Sequence, residues 1–194
     1  YGGSVSLEAV LDEGVKDVSC RGVEVSGMDL QKTNLRGFFK RNVSGTLGFS
    51  GSCVGSLSEI EKGRLNGRLE LTGLTSDLRR PILMSSEVRF DHISAQIEFD
   101  RGQLNFFDGK AAGKMYDGTF SGKVMFEALP AAGSLAVDGM LSPKQEFVRG
   151  NRQAARAAAL LYKKYRNTKI PFNVTGRLQD PVFRFGPRPQ QTSN

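Results

Sequence analysis

Few side chains in this sequence have the type and spacing that chemistry requires. His92 is the only histidine. It stands between Asp91 and Ile93 at the mouth of an alternating run, with no candidate nucleophile beside it. A general base needs a partner within hydrogen-bond reach, so His92 reads as a structural or surface residue. Cys20 and Cys53 are the only cysteines, and with a single histidine they offer no spacing that suits a metal. They read either as two buried thiols in strands or as one disulfide tying two early strands, which requires an oxidising compartment. Residues 48–56 (GFSGSCVGS) are rich in Gly and Ser but lack the Lys-Ser/Thr ending of a phosphate loop. No nucleophile elbow, paired zinc ligands or dinucleotide fingerprint occurs. Asp100, Asp108 and Asp117 are explained by turn chemistry. Asn42-Val43-Ser44 and Asn173-Val174-Thr175 fit the glycosylation triplet, which carries no meaning in a bacterial chain. The expectation is a non-enzymatic protein, with no catalytic residue, cofactor or metal.

Charge is the stronger chemical signal. The formal net charge is +7. Within residues 143–169, Lys144, Arg149, Arg152, Arg156, Lys163, Lys164, Arg166 and Lys169 stand against Glu146 alone. That segment accounts for the whole excess, because the rest of the chain is neutral. Arg149, Arg152, Arg156 and Lys163 gather on one helical face, either as a solvated surface or as a docking surface for an acidic partner or anionic headgroups. Nucleic acid is not expected, since the strands lack a basic-aromatic stacking surface. The opposite stripe is Ala-rich and without Trp, which suits packing on a sheet better than insertion into a bilayer.

The elements that must position these residues are mostly strands. The 194 residues suffice for one domain, and 23 glycines without a period of three suggest short strands joined by tight turns. Val5, Leu7, Ala9 and Leu11 alternate with polar residues, as do Val18, Cys20 and Gly22, then Val23, Val25 and Gly27 after a change of phase. Residues 42–58 read as a pair of short strands, and Leu65, Leu69, Leu71 and Leu74 as another extended stretch. Residues 93–127 read as four strands with turns at Asp100-Arg101-Gly102, Asp108-Gly109 and Asp117-Gly118. Leu135 to Leu141 forms a further strand. Ser142-Pro143-Lys144-Gln145 then suggests a capping box, opening one amphipathic helix over about 143–166. Phe147, Ala154, Ala158, Leu161 and Tyr165 share its apolar face. Strands return at Ile170, Phe172 and Val174, turn at Gly176, and run through Val182 and Phe185. The fold class expected is mainly β: a curved antiparallel meander of about ten or more strands, the helix packed on or capping it. One β-rich domain spans 1–186, and a Pro- and Gln-rich disordered tail spans 187–194.

Two stretches carry a resemblance. The first runs from Gly102-Gln103-Leu104-Asn105-Phe106 through Gly113-Lys114-Met115-Tyr116-Asp117-Gly118-Thr119-Phe120-Ser121-Gly122. The second is Ile170-Pro171-Phe172-Asn173-Val174-Thr175-Gly176-Arg177-Leu178-Gln179-Asp180-Pro181. Together they resemble AsmA-like periplasmic proteins, and within that group the protein N family of the type II (general) secretion pathway, over about residues 80–186. The resemblance implies a bacterial periplasmic domain held at the inner membrane by an anchor outside this chain. It implies an accessory or structural part in the secretion apparatus, with other secretion-system or envelope proteins as partners. Arg149, Arg152, Arg156 and Lys163 are the candidate partner surface. The alternative is a lipid-binding or lipid-transfer module in which Ile97, Leu104, Phe106, Phe120, Val124 and Phe126 line an apolar groove. The plainer possibility is that these six are simply core.

Overall fold

The computed structural model describes residues 2–11, 17–33, 42–56, 59–126 and 133–187. Among the described residues ten strands form one sheet in chain order, each antiparallel to the next. They are β1 (Ser4–Leu11), β2 (Asp17–Asp29), β3 (Val43–Ser56), β4 (Glu59–Ile82), β5 (Ser85–Asp100), β6 (Gln103–Ala112), β7 (Tyr116–Met125), β8 (Ser134–Pro143), β9 (Ile170–Arg177) and β10 (Asp180–Phe185). Between β8 and β9 lie α1 (Gln145–Gly150) and α2 (Arg152–Tyr165). The fold is the mainly β meander that the alternation predicts.

The strands are longer than the glycine pattern suggests. Of the stretch 42–58, read as two short strands, residues Val43–Ser56 form one strand, β3, and 57–58 lie outside the described residues. Asp108-Gly109 is a bulge inside β6, where the register with β7 shifts between Phe106 and Gly109 and Asp108 takes φ 49°. Asp117-Gly118 lies inside β7, paired with Leu141 and Ser142 of β8. An Asp-Gly pair supplies positive φ for a bulge as readily as for a hairpin. Asp100-Arg101-Gly102 is the turn expected, with Arg101 at φ 47° and Gly102 at φ 77°. The change of phase between Gly22 and Val23 is also physical: the β2–β3 register shifts between Cys20 and Val23.

Several glycines serve close approach instead of turns. A Cβ on Gly67 would stand 2.5 Å from Phe49 Cε2, and one on Gly139 would stand 2.5 Å from Phe172 Cζ. Each is a strand position whose missing side chain leaves room for a neighbouring aromatic ring.

The helix differs from expectation in two respects. It is broken at Asn151, giving two helices instead of one over 143–166. The Ser142 cap does not form, because β8 runs on to Pro143 and Lys144 stands at the N-cap without a side-chain hydrogen bond. Asn151 caps α2: its Oδ1 accepts from the Gln153 and Ala154 N–H groups at 3.1 and 3.0 Å. Asn is among the best residues for that position. The apolar stripe survives the break. Ala154 and Ala158 are fully buried, and Phe147, Leu161 and Tyr165 pack on the core built by Ile82, Leu83, Tyr116, Leu141 and Ile170.

Of the tail expected at 187–194, all but Pro187 lies outside the described residues.

Candidate functional site: an apolar sheet face and a basic helix face

Directly paired residues of an antiparallel sheet share a face, so the register defines which side chains meet. Ile97 pairs with Phe106, which pairs with Gly122, Val137, Val174 and Phe183 in turn. Leu104 pairs with Val124. Phe120 alternates with Val124, and Phe126 is four positions beyond Gly122 on the same face. The six candidate groove residues therefore lie on one face. Phe99 joins them, its ring 6.3 Å from that of Phe126.

The same face continues toward the chain start. Leu65 and Leu69 of β4 pair with Phe99 and Ala95, Phe49 of β3 pairs with Leu69 and Val25, and Val25 pairs with Val5 of β1. One apolar surface thus crosses all ten strands. Its burial is deepest at the middle of that path. Ala95, Ile97 and Val124 are buried, and Leu104, Phe106, Phe120, Leu69, Phe49 and Val25 are half-buried. Only on β1 does the face open, where Val5 and Leu7 are 69 % and 59 % exposed. A sheet hydrophobic on one side ordinarily buries it under a second layer. Here, among the described residues, α1 and α2 cover only the end that carries Tyr116, Leu141 and Ile170.

Tyr116 anchors that covered end. It is 1 % exposed, its hydroxyl donates to the Ile82 carbonyl at 2.9 Å, and Phe147 meets its ring edge-on at 5.2 Å. Burial pushes its pKa up to about 12. Burial also raises that of Tyr162, which packs on the same core. The Ile82 carbonyl belongs to the β4–β5 hairpin, whose turn residues Leu83 and Met84 take φ 47° and 70°. This turn has none of the Gly, Asn or Asp that positive φ favours, so it leaves no local trace in the sequence. Leu83 is nonetheless 3 % exposed, and its burial in the core holds the tip in place.

The four basic candidates are all exposed. Arg149 is on α1, while Arg152, Arg156 and Lys163 are on α2, away from the sheet. Among the described residues none of the four takes part in an ion pair. Lys144 instead reaches Asp117 on β7 at 2.7 Å.

Cys20 and Cys53 pair across β2 and β3 and are joined as a disulfide. His92 is exposed on β5, opposite Thr72 and Ala112. Asn173, of the second glycosylation triplet, is buried, and its Nδ2 donates to the Gly186 carbonyl at 2.9 Å. Among the described residues no group of three or more His, Cys, Asp or Glu could hold a metal ion, and no helix is long and apolar enough to cross a membrane.

Two residues the sequence did not single out complete the picture. Arg80, near the end of β4, and Arg184, on β10, line a common cleft with Leu78, Pro81 and Phe183. They are far apart in sequence, and only the closeness of the β4 end to the β10 edge unites them.

Compared with known proteins, the chain matches no family model, no curated protein and no solved structure.

Proposed function

We propose that this protein is a non-enzymatic, AsmA-like lipid-binding module of the bacterial periplasm, which lays acyl chains against the apolar face of its sheet. The observation that carries the reading is the continuity of that face from Phe183 to Val5 while, among the described residues, the helices cover only one end. An apolar face left half-buried, and opening to solvent at Val5 and Leu7, suits an interaction site. Hydrocarbon is a fitting occupant, because the face offers breadth and few polar groups to orient a ligand. The Cys20–Cys53 disulfide suits an oxidising compartment such as the periplasm. Native mass spectrometry of protein extracted from bacterial envelopes tests the proposal. Lipid adducts are expected, and Leu7→Asp together with Phe49→Asp should remove most of them. Adduct-free protein that also takes up no lipid from vesicles would refute it.

The second reading is an accessory part in the type II secretion apparatus at the inner membrane, acting through protein contacts. Arg149, Arg152, Arg156 and Lys163, exposed and without an ion pair among the described residues, favour it. On that reading, reversing the three arginines to Glu should abolish partner pull-down from envelope extract and leave the melting temperature within a few degrees of wild type. An unchanged pull-down removes the helix face from consideration.

A further inference from the structure

We propose that the cleft between the end of β4 and the edge of β10 holds the acyl chain of a lipid whose anionic headgroup is bound by Arg80 and Arg184. This rests on the lipid-binding reading above and gives it a place and a headgroup class.

The cleft encloses about 310 Å³, at the lower end of the ~300–1,000 Å³ typical of small-molecule sites. Its walls are apolar: Leu78 and Pro81 of β4 on one side, Pro181, Val182, Phe183 and Phe185 of β10 on the other. Phe183 and Phe185 also pack on the core, stacked edge to face at 5.1 Å, so the cleft leads from solvent to the apolar side of the sheet.

The charged lining is asymmetric. Arg80 and Arg184 are exposed, and among the described residues neither takes part in an ion pair. Asp180 also lines the cleft, but it is already engaged within the protein. It stands four residues from Arg184, about 13 Å along an extended strand. Two unengaged guanidiniums suit a phosphate or carboxylate, whose oxygens match their planar fork of donors.

An edge strand invites a peptide as readily as a lipid, and the backbone decides between them. The Gly186 N–H donates to the Pro171 carbonyl at 2.7 Å. In an antiparallel ladder, hydrogen-bonded pairs recur at alternate residues. The even-numbered residues of β10 therefore bond to β9, while Pro181, Phe183 and Phe185 turn their backbone groups toward the cleft. Pro181 has no N–H to give. The Phe185 carbonyl already accepts from the Tyr165 hydroxyl at 2.9 Å. Phe183 alone retains both groups, and Pro181 and Phe185 one each, so an added strand would pair incompletely. A hydrocarbon chain needs none.

Calorimetry on the intact chain with dodecyl phosphate, dodecanol and inorganic phosphate tests this. Dodecyl phosphate should bind roughly tenfold or more tighter than dodecanol, and inorganic phosphate alone should give no measurable heat. Arg80→Gln with Arg184→Gln should erase that preference and keep dodecanol binding. Val182→Trp, at an edge position, should weaken both chains. Melting curves establish that each variant is folded. If dodecyl phosphate binding ignores both variants but falls with Leu7→Asp and Phe49→Asp, the cleft assignment is wrong and the broader lipid reading stands. Inorganic phosphate binding as tightly as dodecyl phosphate would reduce the cleft to an anion site and overturn the acyl assignment. Protection of the Phe183 amide from exchange by an added apolar hexapeptide, but not by dodecyl phosphate, would assign the cleft to a strand.

Discussion

Tyr116 sits where three elements converge: the start of β7, the β4–β5 tip that accepts its hydrogen bond, and the Phe147 ring of α1. A phenol held neutral by burial makes stability depend on alkaline pH. Its pKa is raised to about 12 in the fold, against about 10 in an unfolded chain. Below pH 10 both states carry the proton and the contribution is fully present. Between about 10 and 12 the unfolded state loses its proton first, and stability falls by up to roughly 3 kcal/mol. Urea titrations at pH 9 and pH 11.5 should show this decline in the wild type, and a shallower one in Tyr116→Phe. Equal slopes would mean that another group governs the alkaline transition. The same variant should be about 1–2 kcal/mol less stable at neutral pH, since the buried Ile82 carbonyl loses its donor.

Among the elements, the β4–β5 hairpin is the least readable from sequence and the most consequential for the core. Its turn puts two non-glycine residues at positive φ, a conformation that persists only where surrounding packing enforces it. Leu83→Ala should therefore cost about 2–5 kcal/mol. Met84→Gly, at an exposed position with φ 70°, should be neutral or stabilising by about 1 kcal/mol. Chemical denaturation of both variants checks the pair, and a destabilised Met84→Gly would contradict the account of the tip. By contrast, the 93–106 hairpin was legible because Arg101-Gly102 is ordinary turn chemistry flanked by clean alternation. Asp108-Gly109 and Asp117-Gly118 misled for the same reason, since a local motif does not say whether the chain reverses or merely bulges. The helix stripe was legible because Ala154, Ala158 and Leu161 keep one phase. Its break at Asn151 was not, because Asn inside an amphipathic run reads as one more polar position until its side chain is seen to cap. Arg80 and Arg184 had no signal at all: their shared cleft is a matter of tertiary closure.

At the scale of the molecule, the helices and the β4–β5 tip close one end, while among the described residues no helix lies over β1 to β3. The Cys20–Cys53 bond lies in that less covered part and spans 33 residues of chain. Loop closure on that scale contributes on the order of 3–4 kcal/mol. Cys20→Ser with Cys53→Ser should lower stability by up to that amount and should first loosen β1–β3, seen as faster amide exchange there than in β7–β9. Uniform exchange across the sheet would show instead that the ten strands open as one unit.

The unbroken strand order has a further consequence, for how the chain can be made. Every described strand pairs only with the described strands just before and after it in sequence, so none of them waits for a distant one and the loop-closure cost of each step stays small. A chain emerging from its amino end can lay down each strand on the one already formed, with α1 and α2 arriving late to seal the core. Such a sheet needs no threading, and it can lengthen by one hairpin without disturbing the connections already in place.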